Sequence, residues 1–351
     1  MNLKSAILCS AIGAMLTGAV LCCSSSVPQN ALSYGVGGRA PSMSVRALAG
    51  SLPALSPDLQ CAADPTEGLP EAEGAFASAP VFGEADLSVF VPEAPKGAKA
   101  IVTKQYPSSL SVNNSSSQTV EMDALLAHTP AVDLSGEGPR ILIVHTHTTE
   151  SYNETGQNWY DTQDTRTTDN SRNMVRMGEV LAAELTAGGY GVIHCQKRHD
   201  ADFNASYDRS LESVKEYLKK YPSIAVVIDL HRDSLIDAEG TKYRAVTEID
   251  GIPVAQVMFL MGVGNNTYPH PRWMENLSLA AWIQREACET YPGLMRPMLV
   301  RGLRYNQYLS DGALLVELGG CGNSPEEAEA AARYFGKICV GALDKIREAQ
   351  K

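Results

Sequence analysis

The sequence predicts an α/β fold in which a mostly parallel, mixed sheet carries helices on both faces. From residue 140 onward, short apolar runs alternate with stretches of helical periodicity. Residues 141–144 and 224–230 are apolar almost throughout, which is typical of strands that are buried on both faces. Asp250-Gly251 lies between two apolar-rich runs and predicts a hairpin, so a purely parallel sheet is not expected.

The elements of the globular part, residues 139–351, follow from these patterns. Apolar residues at helical spacing precede Gly188, and Ser324, Pro325 and Glu327 form a helix-start signature with a capping residue and a capping box. The polar stretch 153–170 is long enough to fold over a site at the end of the first strand. Strands are expected at residues 141–144, 190–195, 224–230, 297–301 and 314–318, and helices at 171–186, 206–221, 275–291 and from 325 to near the C-terminus.

The first 138 residues differ in composition from the rest of the chain. Residues 1–23 carry Lys4 as their only charge, which is typical of a secretory signal or a single membrane anchor. Residues 24–138 are rich in Ala, Ser, Pro and Gly, and acidic side chains outnumber basic ones, so we expect a disordered linker. The globular domain, residues 139–351, is therefore expected outside the cytoplasm.

Net charge and cysteine spacing narrow the classes of function. The formal net charge of −11 argues against a nucleic-acid-binding surface. The cysteines of the globular part show no C-x-x-C spacing, so buried free thiols are expected, with one disulfide possible and no cysteine metal site. These residues are Cys195, Cys288, Cys321 and Cys339.

Polar residues with metal-binding chemistry follow two of the predicted strands. The first strand ends in His-Thr-His-Thr-Thr-Glu, in which His147 and Glu150 form an H-x-x-E pair, and the second ends on His231. Because the carboxyl ends of parallel strands meet at one edge of a sheet, we expect these side chains to lie close together. Imidazole and carboxylate are the ligands of hydrolytic zinc, which leaves one position for water.

Glu317 is the only carboxylate in the otherwise apolar run Leu-Leu-Val-Glu-Leu, residues 314–318. Burying such a group is costly unless it is paired or functional. One interpretation is an ion pair with Arg301 or Arg304. The other is a general base that takes a proton from a metal-bound water and passes it to a leaving nitrogen.

The motifs HTHTTESY, IDLHRDS, LLVELGG and GNSPEEA resemble those of the stage II sporulation protein P family, from about residue 140 to the C-terminus. The resemblance implies a zinc amidase or carboxypeptidase-like fold that binds Zn²⁺. It also implies N-acetylmuramoyl-L-alanine amidase and endopeptidase activities on peptidoglycan, at the outer face of the membrane during engulfment. The implied partners are a sporulation lytic transglycosylase, stage II sporulation protein D, and membrane proteins.

The resemblance also implies roles for individual residues. Matched by position, the ligands are His147, Glu150 and His231, and the catalytic carboxylate is Glu317. Two alternatives stay open, since His145 could replace His147 as a ligand and Asp169, at the start of the first helix, could replace Glu150. Arg232, directly after His231, is a further candidate for a contact at or just outside the ligands.

Two other functions fit the same residues. A zinc carboxypeptidase or N-acyl amino acid amidohydrolase could use the same plan, and Arg232, Arg301 or Arg304 could bind a terminal carboxylate. A metal-free domain that only binds peptidoglycan or holds partners together belongs to a different class. Loss of a ligand histidine or of Glu317 would favour that class, and all of them are present.

Overall fold

The computed structural model describes residues 94–154, 157–161 and 165–351. The expected signal or anchor, residues 1–23, and residues 24–93 of the expected linker lie outside these ranges. The strands are β1 Lys99–Ala100, β2 Val102–Lys104, β3 Val112–Asn114, β4 Pro139–Val144, β5 Trp159–Tyr160, β6 Gly191–His194, β7 Val226–Asp233, β8 Tyr243–Ile249, β9 Ile252–Ala255, β10 Val257–Gly262, β11 Met298–Arg301 and β12 Gly312–Gly320. The helices are α1 Met122–Ala127, α2 Met174–Ala187, α3 Ser206–Lys220, α4 Trp273–Thr290 and α5 Pro325–Ala349.

The main sheet has seven strands in the order β3-β11-β10-β12-β7-β4-β6. Neighbouring strands are parallel throughout, except that β10 runs antiparallel to β12. The strands predicted from apolar runs lie at the centre of this sheet, as β4, β7 and β12. The predicted mostly parallel, mixed sheet is therefore confirmed.

Helices cover both faces of the sheet. Successive side chains of a buried strand point to opposite sides, so the strand has two apolar faces that helices cover. On β4, Ile141 and Ile143 belong to a large apolar core that also contains residues of α2, α4 and α5. Leu142 and Val144 belong to a smaller core on the other face, where Val214 of α3 packs. The expectation of helices on both faces is confirmed.

The predicted hairpin forms between β8 and β9, with the turn at Asp250-Gly251. Both turn residues have positive φ, 52° and 77°, as the tight turn of a two-residue hairpin requires. The hairpin does not join the main sheet: with β2 it forms a separate three-stranded sheet. The mixed character of the main sheet comes instead from β10.

The long final helix begins where its sequence signature indicates. Ser324 caps α5 by accepting a hydrogen bond from the backbone N–H of Glu327, whose side chain accepts from the backbone N–H of Ser324. This reciprocal capping box satisfies two N–H groups that the helix leaves unpaired at its start. In contrast, α2 begins at Met174 rather than near residue 171, because Asn173 caps it by accepting from the N–H of Val175.

The expectation of a disordered linker up to residue 138 is wrong for its described part, residues 94–138. β2 pairs with β8, β3 pairs with β11 at the edge of the main sheet, and α1 buries Leu125. Gln256 also binds this segment, since its side-chain oxygen accepts from the N–H of Tyr106 at 2.7 Å. These strands are two or three residues long and are stabilised by pairing with an existing sheet, so the composition of the segment gives no sign of them.

The four cysteines in the described ranges are not joined in a disulfide, as expected of buried thiols. Cys195, Cys321 and Cys339 are buried, and Cys288 is half-buried. Burial raises the pKa of the Cys339 thiol, so it stays protonated and acts as a small apolar side chain.

The sheet order brings the ends of three strands together. β4, β7 and β12 are adjacent and parallel, so their carboxyl ends lie at one edge. In the pairing register Val144 faces Asp229, and His231 faces Glu317. The segment after β4, the end of β7 and the end of β12 therefore meet at this edge.

Candidate active site

The segment after β4 is held in place by hydrogen bonds to β7. The backbone N–H of Thr146 donates to Oδ1 of Asp229 at 2.8 Å, and its hydroxyl donates to Oδ2 at 2.6 Å. The N–H of Glu150 donates to the carbonyl of His147 at 3.1 Å, which closes a turn. His147 and Glu150 are thereby presented from one rigid turn.

His147 is buried among aromatic rings, and neither of its ring nitrogens forms a hydrogen bond to a described residue. Its ring stacks on Phe203 with centroids 4.6 Å apart and lies edge to face with His231 at 5.3 Å. Burial lowers the pKa of His147 to about 4, so the imidazole is neutral near pH 7. A neutral, unpaired imidazole is the form that binds a metal ion.

His231 lies between two carboxylates. Its Nδ1 is 3.4 Å from Oε2 of Glu150, and its Nε2 is 3.0 Å from Oδ1 of Asp229. The second contact is an ion pair, since the N–H of Nε2 is not aligned for a hydrogen bond. Burial opposes the charged imidazole, but Asp229 and Glu150 outweigh burial and raise the pKa of His231 well above its usual value.

Glu150 is buried and ionised. Burial alone would raise the pKa of its carboxyl, but Arg232 and His231 outweigh that effect and lower it. Arg232 lines the cavity, yet its guanidinium is used structurally, because it donates to the carbonyls of Ser151 and Thr165 at 2.9 Å each. Arg232 therefore acts as a buried counter-charge for Glu150.

Glu317 extends from β12 into the same cavity and is 8% exposed. Burial, followed by the charge of Asp233, raises the pKa of Glu317 to about 8. Oε2 of Glu317 has no hydrogen-bond partner among the residues that the structure describes. The suggested ion pair with Arg301 or Arg304 does not form; Arg296 lies near and pairs instead with Asp233, at 3.0 Å.

His145 points away from this cavity. Its Nδ1 lies 3.0 Å from the carbonyl of Leu230, and its Nε2 lies 2.8 Å from Nε2 of His194. Burial, and then His194, lowers the pKa of His145 to about 3, so the ring is neutral. A carbonyl only accepts, so Nδ1 of His145 carries the proton, and its Nε2 accepts from His194.

A close approach of α2 to these two histidines requires a glycine. A Cβ atom on Gly178 would lie 2.4 Å from Nε2 of His194 and 2.6 Å from Nε2 of His145. We expect Gly178→Ala to reduce the free energy of unfolding by about 1–3 kcal/mol, the usual cost of overpacking a core. Urea unfolding would measure it, with Glu179→Ala on the exposed side of the same turn as control. Equal stability of the two variants would contradict the close contact.

Asp169, the alternative to Glu150, lies outside the cavity. Its carboxylate is exposed and accepts from the N–H and the hydroxyl of Ser171 at 3.0 and 2.7 Å. Together these bonds form a local turn before α2 and lower the pKa of Asp169. The described geometry thus brings together His147, Glu150, His231 and Glu317, with Arg232 beside them, and leaves His145 and Asp169 in other contacts.

Two residues of the site were not anticipated from the sequence. Asp229 is a carboxylate within the apolar run of β7, two residues before His231 and so on the same face of the strand. The argument that singled out Glu317 would have found it. Tyr207 lines the cavity from the start of α3, and no motif of the sequence marks it.

The cavity has a volume of about 490 Å³. The four site residues lie on its wall together with an aromatic group formed by Phe203, Tyr207 and Tyr305. In the described ranges no three His, Cys, Asp or Glu side chains are arranged tightly enough to hold a metal ion as they stand. However, one ring nitrogen of His147, which no described residue occupies, the carboxylate of Glu150 and the imidazole of His231 are a donor set that fits Zn²⁺ chemically.

Comparison of the sequence with curated proteins finds a relative from a sporulating bacterium. The stage II sporulation protein P from Bacillus subtilis (strain 168) is 28% identical over 236 residues, which cover 63% of this chain and 56% of that protein. The chain thus spans little more than half the length of this curated relative.

Solved structures with partial similarity include two amidases. The N-acetylmuramyl-L-alanine amidase Ami1 from Mycobacterium smegmatis is 13% identical, with 59% of this chain and 97% of that chain covered and a TM-score of 0.34. The CwlD amidase from Clostridioides difficile, solved in complex with the GerS lipoprotein, is 13% identical, with 60% and 99% covered and a TM-score of 0.36.

The family comparison covers most of the described structure. The profile of the stage II sporulation protein P family matches residues 86–339, which include the ordered segment before β4 and all the site residues. None of the helices in the described ranges is long and apolar enough to cross a membrane. With a match over well over half of its length, the chain belongs to the stage II sporulation protein P family.

Proposed function

We propose that the chain is a zinc-dependent peptidoglycan hydrolase of sporulation, which cleaves the amide bond between N-acetylmuramic acid and L-alanine and, in addition, peptide cross-links. The observation that carries the proposal is the meeting of His147, Glu150 and His231 with the buried carboxylate of Glu317 in one cavity. Membership of the stage II sporulation protein P family supports the substrate and the process.

In this proposal His147, Glu150 and His231 hold the ion. Bound Zn²⁺ would lower the pKa of its water and polarise the amide carbonyl. The neutral ring of His147 and the ionised carboxylate of Glu150 are already in their ligand protonation states. Glu150 and Asp229 favour the protonated form of His231, which has to lose one of its two ring protons to bind the ion, so binding should release a proton.

Glu317 is the general base. Its carboxylate removes a proton from the attacking water, whose oxygen bonds to the acyl carbon, and passes that proton to the amide nitrogen as the C–N bond breaks. The products are the lactyl carboxylate of the sugar and a peptide with a free L-alanine amine. Positive charge at the ligands would offset the burial that raises the pKa of Glu317 to about 8, so the base would be available near neutral pH.

A carboxypeptidase needs an arginine that binds the terminal carboxylate of its substrate. The three arginines considered from the sequence all make other contacts. Arg232 donates to two backbone carbonyls. Arg301 binds the hydroxyl of Ser115, and Arg304 lies over the rings of Tyr268 and Tyr308. These three arginines therefore give no support to a carboxypeptidase.

The experiment is digestion of purified sacculi by the full chain with Zn²⁺, followed by mass spectrometry of the products. An amidase releases stem peptides with a free N-terminal L-alanine and leaves bare glycan strands, and an endopeptidase also splits cross-linked dimers. Release of terminal D-alanine alone would identify a carboxypeptidase. Binding to sacculi without any soluble product would contradict the proposal and favour a domain that only binds peptidoglycan.

Asp229 should orient His231 for the ion. It accepts two hydrogen bonds from Thr146 and holds its Oδ1 3.0 Å from Nε2 of His231, which directs Nδ1 towards Glu150. We expect Asp229→Asn to weaken zinc binding about 10–100-fold, as for carboxylates that support a histidine ligand. A chelator-competition titration measures this, with the exposed Asp208→Asn as control. Equal affinity of both variants and the wild type would contradict this role.

Location and partners complete the proposal. We expect residues 1–23 to direct or anchor the chain so that the domain faces peptidoglycan. The expected partners are a sporulation lytic transglycosylase of the stage II sporulation protein D type and membrane proteins. Fractionation of sporulating cells, with and without residues 1–23, tests the location. Recovery of both forms in the same soluble cytoplasmic fraction would contradict it.

A further inference from the structure

We propose that Tyr207 is a catalytic residue, whose hydroxyl donates a hydrogen bond to the oxygen of the reacting carbonyl group. The inference rests on the proposed amide hydrolysis and adds to it a protein group that, beside the ion, stabilises the charge developing on that oxygen. Acyl transfer needs such a donor, because the carbonyl oxygen becomes negatively charged as the water adds to the carbon.

The ring of Tyr207 is held against the metal-binding side of the cavity. It lies edge to face with the ring of His147 at a centroid distance of 5.7 Å, and 6.1 Å from the ring of Tyr305. Asn306 holds the start of α3, since its amide donates to the carbonyl of Tyr207 and to the hydroxyl of Ser210 at 2.9 Å each. The ring is thereby fixed by packing, without use of its hydroxyl.

The hydroxyl of Tyr207 forms no hydrogen bond to any residue in the described ranges, and the half-buried side chain lines the cavity. Phe203, one turn earlier, provides the stacking surface for His147 without any polar atom, so packing alone would not require a phenol at 207. A tyrosine whose polar end faces a cavity without a protein partner is suited to bind a ligand there.

The phenol of Tyr207 is chemically suited to donate to this oxygen. A phenol keeps its proton near neutral pH, because its ordinary pKa is about 10. Tyr207 lines the same cavity as Glu150 and Glu317, and the reacting carbonyl has to sit in that cavity.

The test is Tyr207→Phe in the full chain, which removes one oxygen and keeps the ring. We expect kcat on a soluble muropeptide to fall about a hundredfold, as for loss of one donor to a developing oxyanion, with little change in KM. Zinc content and thermal stability should match the wild type, because the hydroxyl has no hydrogen bond to a described residue to lose. The control is Tyr221→Phe just beyond the end of α3, away from the cavity, which should leave all values unchanged.

A binding measurement separates this role from a general loss of activity. A phosphinate analogue of the muramoyl-alanine amide carries tetrahedral, charged oxygens, and should bind Tyr207→Phe about 10–100-fold more weakly than the wild type. The uncleaved substrate, measured in a Glu317→Gln background, should bind both equally well.

The outcomes are distinct. Unchanged kcat and unchanged phosphinate affinity would refute the role of Tyr207 while leaving the amidase proposal intact. A loss of stability in Tyr207→Phe would show that the hydroxyl is structural, and would also refute it. An inactive wild type would remove the amidase proposal itself, on which the inference depends.

Discussion

Glu317→Gln is expected to lower kcat for muropeptide hydrolysis by about a hundredfold or more, with zinc content unchanged. Glutamine has the same shape as glutamic acid but cannot take up the proton of the attacking water, and general acid–base catalysis contributes about 10²–10⁴-fold. Glu317 is not among the proposed ligands, so the ion should remain. Kinetics and metal analysis on the same preparation measure both quantities.

The variant that controls for this prediction is Glu327→Gln, a buried carboxylate that serves the cap of α5 and is remote from the chemistry. It should alter stability rather than kcat. Near-wild-type turnover in Glu317→Gln would exclude the general-base role. Loss of zinc together with activity would instead make Glu317 a ligand, and the assignment of the ligands would have to change.

The raised pKa of Glu317 predicts that the free energy of unfolding of the chelator-treated protein depends on pH. Its pKa is raised from 4.5 to about 8 by burial and Asp233, so the folded state holds a proton that the unfolded state loses. Stability is therefore full below pH 4.5 and falls as pH rises towards 8, by on the order of a few kcal/mol. Urea unfolding at pH 6 and 9 should show a smaller fall in Glu317→Gln. Identical pH profiles would contradict the raised pKa.

The sequence predicted the central strands well, because strands buried on both faces need long apolar runs. β4, β7 and β12 are such runs, and each carries a site residue at or just beyond its carboxyl end. Sheet order then brings these ends together by geometry alone. The capping box at Ser324 was predictable for the same kind of reason, since it is a local arrangement of a few neighbouring residues.

The sequence did not predict what depends on contacts distant along the chain. The strands β2 and β3 have no apolar pattern of their own and form because β8 and β11 offer free edges. The choice between His145 and His147 depends on His194 and Gly178, which pack around His145 from β6 and α2. Tyr207 reaches the site from the start of a helix on the other face, some sixty residues from His147 in the sequence.

His231→Ala is expected to reduce zinc affinity far more than the 10–100-fold that a supporting carboxylate contributes, because it removes a ligand. It also leaves Asp229 and Glu150 without the imidazole that lies between them, 3.0 and 3.4 Å away, so each of these buried carboxylates loses one of its partners. Mass spectrometry of the metal content, with a chelator-competition titration, measures the effect. His128→Ala is the matched control, since His128 is 40% exposed and pairs with Glu275.

The result decides between two classes of protein. About one zinc ion per wild-type chain, retained in His128→Ala and lost in His231→Ala, would mean that the zinc site lies at the edge formed by β4, β7 and β12. Unchanged zinc content in His231→Ala would place any bound metal elsewhere. His231, Asp229 and Glu150 would then form only a buried ion-pair network, and a metal-free, peptidoglycan-binding scaffold would become the better account of the fold.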